Sequence, residues 1–514
     1  MKRLFGVILC ACILLSCLAG CGSTEDAYTP TGDGMTWDED YTGPTTATRP
    51  DETVQDLNLA YRPSASMNPY LCTDITNRVL FSLLYQGLFT VDRNYNVEPM
   101  LCARYTVSDD MTCYTFYVDA KATFSDGSPV TIGDVEATLN HAKNSKIYQG
   151  RFSRITAIEQ TTDGGLAVYL RTPYENLPLL LDIPILKADE LQVSHPLGSG
   201  PYKLTGSGTF LQLTRRADWW CACKTYITAP VISLSPIESE TDLRDAFQFG
   251  SVGLVQADPG SDKYVDYLSD YELWDTDNGI FLFLSVHEDS FVFSDERVRL
   301  ALTHAIDRDL LVSEYYRDFA RSATLPASPT FPYYNQTLAS RYEYEDGVMQ
   351  KALAEAGMTG WPITLLVNSD DSLRLKVAQA IADMLGNAGL VVELLTVTED
   401  NYLYVRNNEE YDLHLGQTML SPNMDLSYFF AFDTSLSCGG LDDLACYTLC
   451  QQALENHGNY YSLYKTIMDS GYLCPILFRS YAVYATRGLL TDLTPARDNI
   501  FYYSIGKTMD QIRQ

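Results

Sequence analysis

Leu18-Ala19-Gly20-Cys21 carries the most specific chemistry in the sequence. Small residues just ahead of a cysteine, closing a short apolar run, resemble a bacterial lipobox, in which the thiol receives diacylglycerol and the chain is cut before it. The preceding stretch agrees. Lys2 and Arg3 give a positive end, and Leu4 to Ala19 is almost wholly apolar but shorter than the ~20 residues that cross a bilayer. The expectation is a signal peptide over residues 1–20 with Cys21 as the lipidated new N-terminus. The alternative is a secretory signal without lipid, although an A-x-A-type cleavage site needs no cysteine there. Cys10, Cys12 and Cys17 leave with the signal.

The remaining reactive side chains point to no catalysis. Nine cysteines follow Cys21, namely Cys72, Cys102, Cys113, Cys221, Cys223, Cys438, Cys446, Cys450 and Cys474. Their odd number leaves at least one thiol unpaired, and Cys102–Cys113 and Cys438–Cys446 are the first disulfide candidates in an exported protein. Cys446-x-x-x-Cys450 has a spacing found in metal sites, but no second Cys/His pair stands at a suitable distance, so buried apolar cysteine is the competing reading. The six histidines, His141, His195, His287, His304, His414 and His457, form no spaced cluster, and neither metal nor cofactor is expected. G-x-S-x-G, H-E-x-x-H and the phosphate-cradling P-loop pattern are all absent. Acid pairs such as Asp370-Asp371 and Asp442-Asp443 fit solvated turns. An enzyme is not expected.

Bulk properties narrow the partners. The formal charge is −30, and losing Lys2 and Arg3 with the signal removes two positive charges and makes it −32. Such a surface repels nucleic acid and anionic headgroups, so neither is expected to bind. A mature chain of this length exceeds one hydrophobic core, and two or three compact units are expected. Residues 21–55 are rich in Thr, Gly, Pro and acids, with few aliphatic side chains, and read as a flexible tether. A leash of that length places the folded body roughly 30 Å from the anchor on average, at about 5–6 Å × √n.

The elements that position everything else begin at "DLNLAYRP", a short alternating strand. "TDITNRVLFSLLYQGLF" has helical spacing with Ile75, Val79, Leu80, Leu83 and Leu84 on one stripe. "YTFYV" is a strand, "SDGS" a turn, and Thr131 with Asp134 forms a capping-box pattern at a helix start. "FSDERVRLALTHAIDRDLLVSEYY" reads as one helix. "WPITLLVNSDD", "SLRLKVAQAIADMLGNAGL" and "VVELLTVT" make a β-α-β unit, and "EYDLHLGQT" and "PILFRSYAVYAT" are later strands. Strands alternating with helices give an α/β fold class, and no repeat of fixed period occurs.

In this order, "LYQGLF…NVEPMLCARYTVSDDMTCYTFYV…ATFSDGSPVTIGDV", "GSGPYKL", "FSDERVRLALTHAIDR", "ALAEAGM" and "EYDLHLG" resemble the family 5 extracellular solute-binding proteins, the oligopeptide, dipeptide and nickel receptors of ABC importers. The resemblance covers nearly all of residues 56–505. It implies a two-lobed periplasmic-binding-protein-like fold of the class II type with an extra subdomain in the first lobe. Lobe I would hold residues 56–277 plus 475–514, with 63–188 as the inserted subdomain, and lobe II residues 278–474. The crossings would lie near "NGIFLFLSV" and "CPILFRSY". The motif residues themselves have structural work to do, with Arg299 and Asp307 read as scaffold charges, so the signature marks the fold and the ligand must be sought elsewhere.

The resemblance also implies where a ligand would sit. "RPSASMNPY" offers Ser64 and Ser66, and the loop 417–430, "QTMLSPNMDLSYFF", offers Met419, Asn423, Met424, Asp425 and Tyr428. In peptide-binding relatives an earlier aspartate of this loop receives the α-ammonium, and "MLSPN" contains none; a tryptophan common there is also missing. Either Asp425 takes over that role or the ligand lacks a free amine, because an ammonium buried without a counter-charge costs several kcal/mol. A third possibility is that Asp425 caps the following "LSYFF" segment. The function expected is a lipid-anchored receptor on the extracellular face of the cell membrane, binding short peptides or peptide-like solutes and serving an ABC permease as a monomer. A peptide sensor without transport, or a receptor for a nickel complex or other non-peptide solute, are the alternatives. Cys21→Ala is expected to abolish lipid labelling and release the protein from the membrane fraction with its folded body intact; fractionation with a lipid label reads both.

Overall fold

Two long strands, Tyr271–Val286 and Leu473–Thr486, run antiparallel through the middle of an eleven-stranded sheet in the computed structural model. The structure describes residues 54 and 56–514, apart from 209, 222–226, 409–410, 432–443 and 491. Cys21, the signal segment, almost all of the tether, Cys223, Cys438 and the Asp442-Asp443 pair therefore lie outside the described residues. From one edge the strand order is Val391–Val397, Pro362–Asn368, Leu413–Met419, Tyr271–Val286, Leu473–Thr486, Leu254–Ala257, Asn58–Tyr61, Val231–Pro236, Phe210–Arg215 and Tyr202–Ser207. Ala320–Ser322 pairs off this path with Leu473–Thr486. The apolar runs "IFLFLSV" and "LCPILF" are buried almost throughout, the pattern of strands covered on both faces.

Two large apolar cores flank this shared spine. One packs Leu282, Leu284 and Ile476 of the long strands against Leu365, Val377, Ile381, Leu413 and Leu415. The β-α-β unit supplies most of it, with strands Pro362–Asn368 and Val391–Val397 in parallel register about the helix Ser372–Asn387, as the sequence predicts. The other core joins Leu59, Leu80, Leu84, Phe116, Leu139 and Leu186 with Phe429, Tyr464 and Phe478. A separate four-stranded antiparallel sheet, formed by Cys102–Val107, Cys113–Val118, Leu166–Leu170 and Ile155–Gln160, carries the helix Ile132–Ala142. That helix starts on the predicted capping box: Thr131 Oγ1 accepts from Asp134 N at 3.2 Å, and Asp134 Oδ2 accepts from Thr131 N at 2.9 Å. The boundaries expected near residues 277/278 and 474/475 fall inside the two long strands, so the chain crosses as continuous sheet.

Three details explain or revise sequence patterns. "GSGPYKL" needs its glycines because the loop lies against the end of the helix Ile75–Leu84; a Cβ at Gly198 would sit 1.9 Å from Leu84 O. The helix expected over residues 293–316 is broken into Glu296–Ala301, a 3-10 turn at Leu302–Ala305 and Arg308–Tyr316. Ile306 turns extended, Asp307 caps the last helix through Leu310 N, and the buried Arg308 guanidinium gathers the carbonyls of Thr303, Ile306, Ala323 and Pro475. Its Nη2 donates to Thr303 Oγ1 at 2.7 Å and to Cys474 Sγ at 3.5 Å, and a buried cation satisfied without any counter-charge holds that break in place. Cys102 and Cys113 stand at opposite ends of their hairpin, with Cys102 opposite Val118, and are not bonded.

His414 lies in the core face of Leu413–Met419, with Nδ1 3.1 Å from Ser285 Oγ and Nε2 2.6 Å from Tyr402 Oη. Burial, helped by Arg406 and Arg374, pushes its pKa down to about 3. The unfolded chain therefore binds a proton that the folded chain refuses from the ordinary histidine pKa of about 6.5 downward, and stability falls as pH falls. Between about pH 6.5 and about pH 4.5 this group is expected to cost on the order of 2–3 kcal/mol, at about 1.4 kcal/mol per pH unit. Denaturant melts across that range should show His414→Gln losing less stability than the wild type.

Candidate binding site

Strands, a helix and three loops converge on a cavity of about 880 Å³ beside the crossing strands. The helix Ile75–Leu84 contributes Arg78, Phe81 and Ser82; the segment after the helix Ile132–Ala142 contributes Tyr148, Arg151 and Ser153. Asn278 and Tyr481 come from the two long strands, Met419 and Tyr428 from the loop after Leu413–Met419, and Arg497, Asp498 and Tyr503 from the C-terminal return. The volume falls within the ~300–1,000 Å³ of small-ligand sites.

Charge dominates one wall. Asp498 bridges two arginines, with Oδ1 3.1 Å from Arg78 Nη2 and Oδ2 2.7 Å from Arg151 Nη2, and Arg151 also pairs with Asp182. Burial opposes the charge on Asp498, but Arg151, Arg497 and Arg78 together outweigh it and hold the carboxyl down to about 2. At Asp182 burial prevails over Arg151 and pushes the carboxyl up. The Arg151 guanidinium also lies 5.4 Å from the Tyr148 ring, so the segment is held by stacking as well as charge.

Gly279 fixes the shape of the crossing. The pairing of the long strands slips between Asp277 and Phe281, and Gly279 sits in that slip at φ +73°. A Cβ there would meet the Arg497 guanidinium at 2.4 Å. Arg497 donates from Nη2 to Leu420 O at 2.7 Å, linking the C-terminal return to the loop after the strand Leu413–Met419.

The structure separates the expected contact residues. Met419, 57% exposed, and half-buried Tyr428 border the cavity. Asn423, Met424 and Asp425 are buried behind that wall. Asp425 Oδ1 accepts from Ser427 N at 2.9 Å, an Asx turn leading into the short helix Ser427–Phe430, and its other oxygen lies 3.5 Å from the hydroxyl of cavity-facing Ser153. Phe429 packs 5.0 Å from Phe283 in the core. The loop with Ser64 and Ser66 borders a second hollow, of about 520 Å³, through Arg62, Ala65 and Met67. Ser64 is exposed, and Ser66 Oγ is engaged with Asn68 N and Ser194 O.

Sequence reasoning missed the arginine–aspartate cluster. A signal existed at two positions: Arg78 is the only charged residue in "ITNRVLFSLL", and Asp182 is the lone acid in "LPLLLDIPIL". A solitary charge inside an apolar run needs a buried partner. Arg151, Arg497 and Asp498 stand among other polar residues and carry no such mark. Arg299 and Asp307 are scaffold in the structure, Arg299 donating to Ser470 O and Phe293 O at 2.8 Å each. No group of three or more His, Cys, Asp or Glu side chains arranged for a metal occurs among the described residues. Among them no helix is long and apolar enough to cross a membrane.

Comparison with known proteins places this geometry. The family model of bacterial extracellular solute-binding proteins, family 5 (middle part), matches residues 96–437. The glutathione-binding protein GsiB of Salmonella typhi is 25% identical over 344 residues, covering 63% of this chain and 66% of that protein. The match thus spans just under two thirds of the curated relative's length. Among solved structures, NikA from Brucella suis in complex with Fe(III)-EDTA aligns with a TM-score of 0.70 at 18% identity, over 87% of this chain and 98% of that one. The oligopeptide-binding protein AppA from Bacillus subtilis, in complex with a nonapeptide, aligns with a TM-score of 0.59 at 20% identity, over 88% and 100%. The fold is the two-lobed α/β architecture of these proteins. Gly279→Ala is expected to cost about 1–2 kcal/mol from the left-handed backbone alone and to displace Arg497 from Leu420 O. Urea melts read the first effect, and a crystal structure of the variant reads the second.

Proposed function

The chain belongs to the family 5 bacterial extracellular solute-binding proteins, a family of binding proteins and not of enzymes, and on that footing we propose that it is the lipid-anchored receptor of an ABC importer. The observation that carries the reading is the cavity of about 880 Å³ at the crossing strands, lined by the helix Ile75–Leu84, the segment 143–153 and the C-terminal return together with Thr418–Ser421 and Tyr428, from the stretch that the proposed second lobe supplies. A solute held there touches both sides at once, so it binds the closed arrangement better than an open one and shifts the population toward closure. The permease would recognise that closed form. The lobes proposed are residues 56–277 with 475–514, including the insertion 63–188, and residues 278–474; closure would turn about residues 278–284 and 473–481. The anchor is Cys21, the working form a monomer.

Short peptides or peptide-like solutes rank first as ligands. The relatives' printed ligands, glutathione and a nonapeptide, support that class. Met419 and Tyr428 would touch the ligand, while Asn423, Met424 and Asp425 support their wall from behind. Ser64 and Ser66 line neither hollow, although their neighbours Arg62, Ala65 and Met67 border the second one, so a ligand would meet that loop only there. Native mass spectrometry of protein purified from its own host should show a co-purified solute, and a peptide-sized mass supports the peptide class; a sugar or lipid in that spectrum would replace it. With a saturating ligand, small-angle scattering of the soluble body should give a smaller radius of gyration than without, and identical profiles would defeat the closing clamp.

A further inference from the structure

The cavity is positive in a protein that is strongly negative. Among the described residues five cationic side chains border it, Arg78, Lys143, Lys146, Arg151 and Arg497, against two carboxylates, Asp182 and Asp498, in a chain of formal charge −30. Both carboxylates are already engaged by Arg78 and Arg151. Lys143 and Lys146 are exposed and make no ion pair among the described residues, and neither does Arg497.

Two residues that line this cavity each carry a buried donor unsatisfied among the described residues. Arg497 spends Nη2 on Leu420 O at 2.7 Å, while its Nη1 is buried without a hydrogen-bond partner among the described residues. Asn278, 3% exposed on the crossing strand, accepts from Ile280 N through Oδ1 at 2.9 Å, and its Nδ2 has no partner among the described residues. That accepted bond fixes which end of the amide is the donor, because a flip would set N–H against N–H. The two groups are neighbours: the Arg497 guanidinium lies against Gly279, the residue after Asn278. A buried donor left unmade costs about 1–3 kcal/mol, and a cation more. A ligand that accepts from both removes that cost.

Resting on the reading of this cavity as the ligand site, we infer that Arg497 and Asn278 receive a carboxylate of the bound solute, and that the protein selects carboxylate-bearing solutes without needing a free amine. A carboxylate accepts from a guanidinium and an amide together, and charge-assisted bonds of this kind are about twice as strong as neutral ones. No unengaged carboxylate among the described residues borders the cavity to hold an ammonium. The contact also lies where the C-terminal return meets the crossing strand, so filling it fastens the hinge from inside.

The test is calorimetry on the full mature protein with tetra-alanine as free acid, C-terminal amide and N-acetyl acid, and in parallel with citrate. The expected result is that amidation weakens binding tenfold or more, about 1.4 kcal/mol, and that N-acetylation changes it less than threefold. Arg497→Gln and Asn278→Asp, checked for native melting, should each lose tenfold or more for the acids and little for the amide. Silence with every peptide but Arg497-dependent binding of citrate would sink the peptide reading and uphold this inference. Equal binding of acid and amide, acid binding indifferent to both substitutions, or no binding of any anionic probe would overturn it.

Discussion

One buried arginine and three half-buried charges decide where the parts of this protein must meet. Arg78, Arg151, Asp182 and Asp498 come from a helix, two loops and the C-terminal return, and the buried Arg151 could not lose both carboxylates without a cost of several kcal/mol. Each needs the others in hydrogen-bonding range, so the cluster acts as a geometric requirement more than as a source of net stability. Meeting it brings the four-stranded antiparallel sheet, the helix Ile75–Leu84 and the last residues of the chain to one wall of the cavity. The stretch with Met419 and Tyr428 adjoins that wall, tied to it where Arg497 donates to Leu420 O and the Ser153 hydroxyl lies 3.5 Å from Asp425.

The crossing strands make the second constraint. Because both run unbroken through the sheet, the two cores share a spine and need no loose linker between them. Relative movement must then be absorbed within paired strands, and the slip at Asp277/Phe281 with Gly279 at positive φ is where the ladder already departs from regular pairing. Arg497 rests on that residue, so the charged wall and the irregular pairing are in direct contact.

Local pattern carried much of this fold. The capping box at Thr131, the β-α-β unit at residues 362–397 and the apolar crossing strands were legible because each depends on neighbours in sequence or on a simple period. The single helix expected at 293–316 failed because its break depends on Arg308 reaching carbonyls as distant as Pro475, which no periodicity records. The site was less legible for the same reason. The loop 417–430 was found through its likeness to relatives, yet Asp425 turned out to serve an Asx turn, and the arginines that dominate the cavity lie far apart in sequence. Two of the five charged residues at the wall announced themselves by standing alone in apolar runs; the others did not.

Asp498 and Arg78 are 420 positions apart, and that separation sets a timetable. A chain made from its N-terminus can build the antiparallel subdomain and the β-α-β unit long before its last residues exist. The cavity wall cannot close until Arg497 and Asp498 arrive, so until then the nascent chain carries Arg78 without its carboxylate and Arg151 with Asp182 alone. Contacts of such long range are also the slow ones in folding. A chain cut before Arg497 would keep nearly all of the secondary structure described above and lack this wall of the cavity.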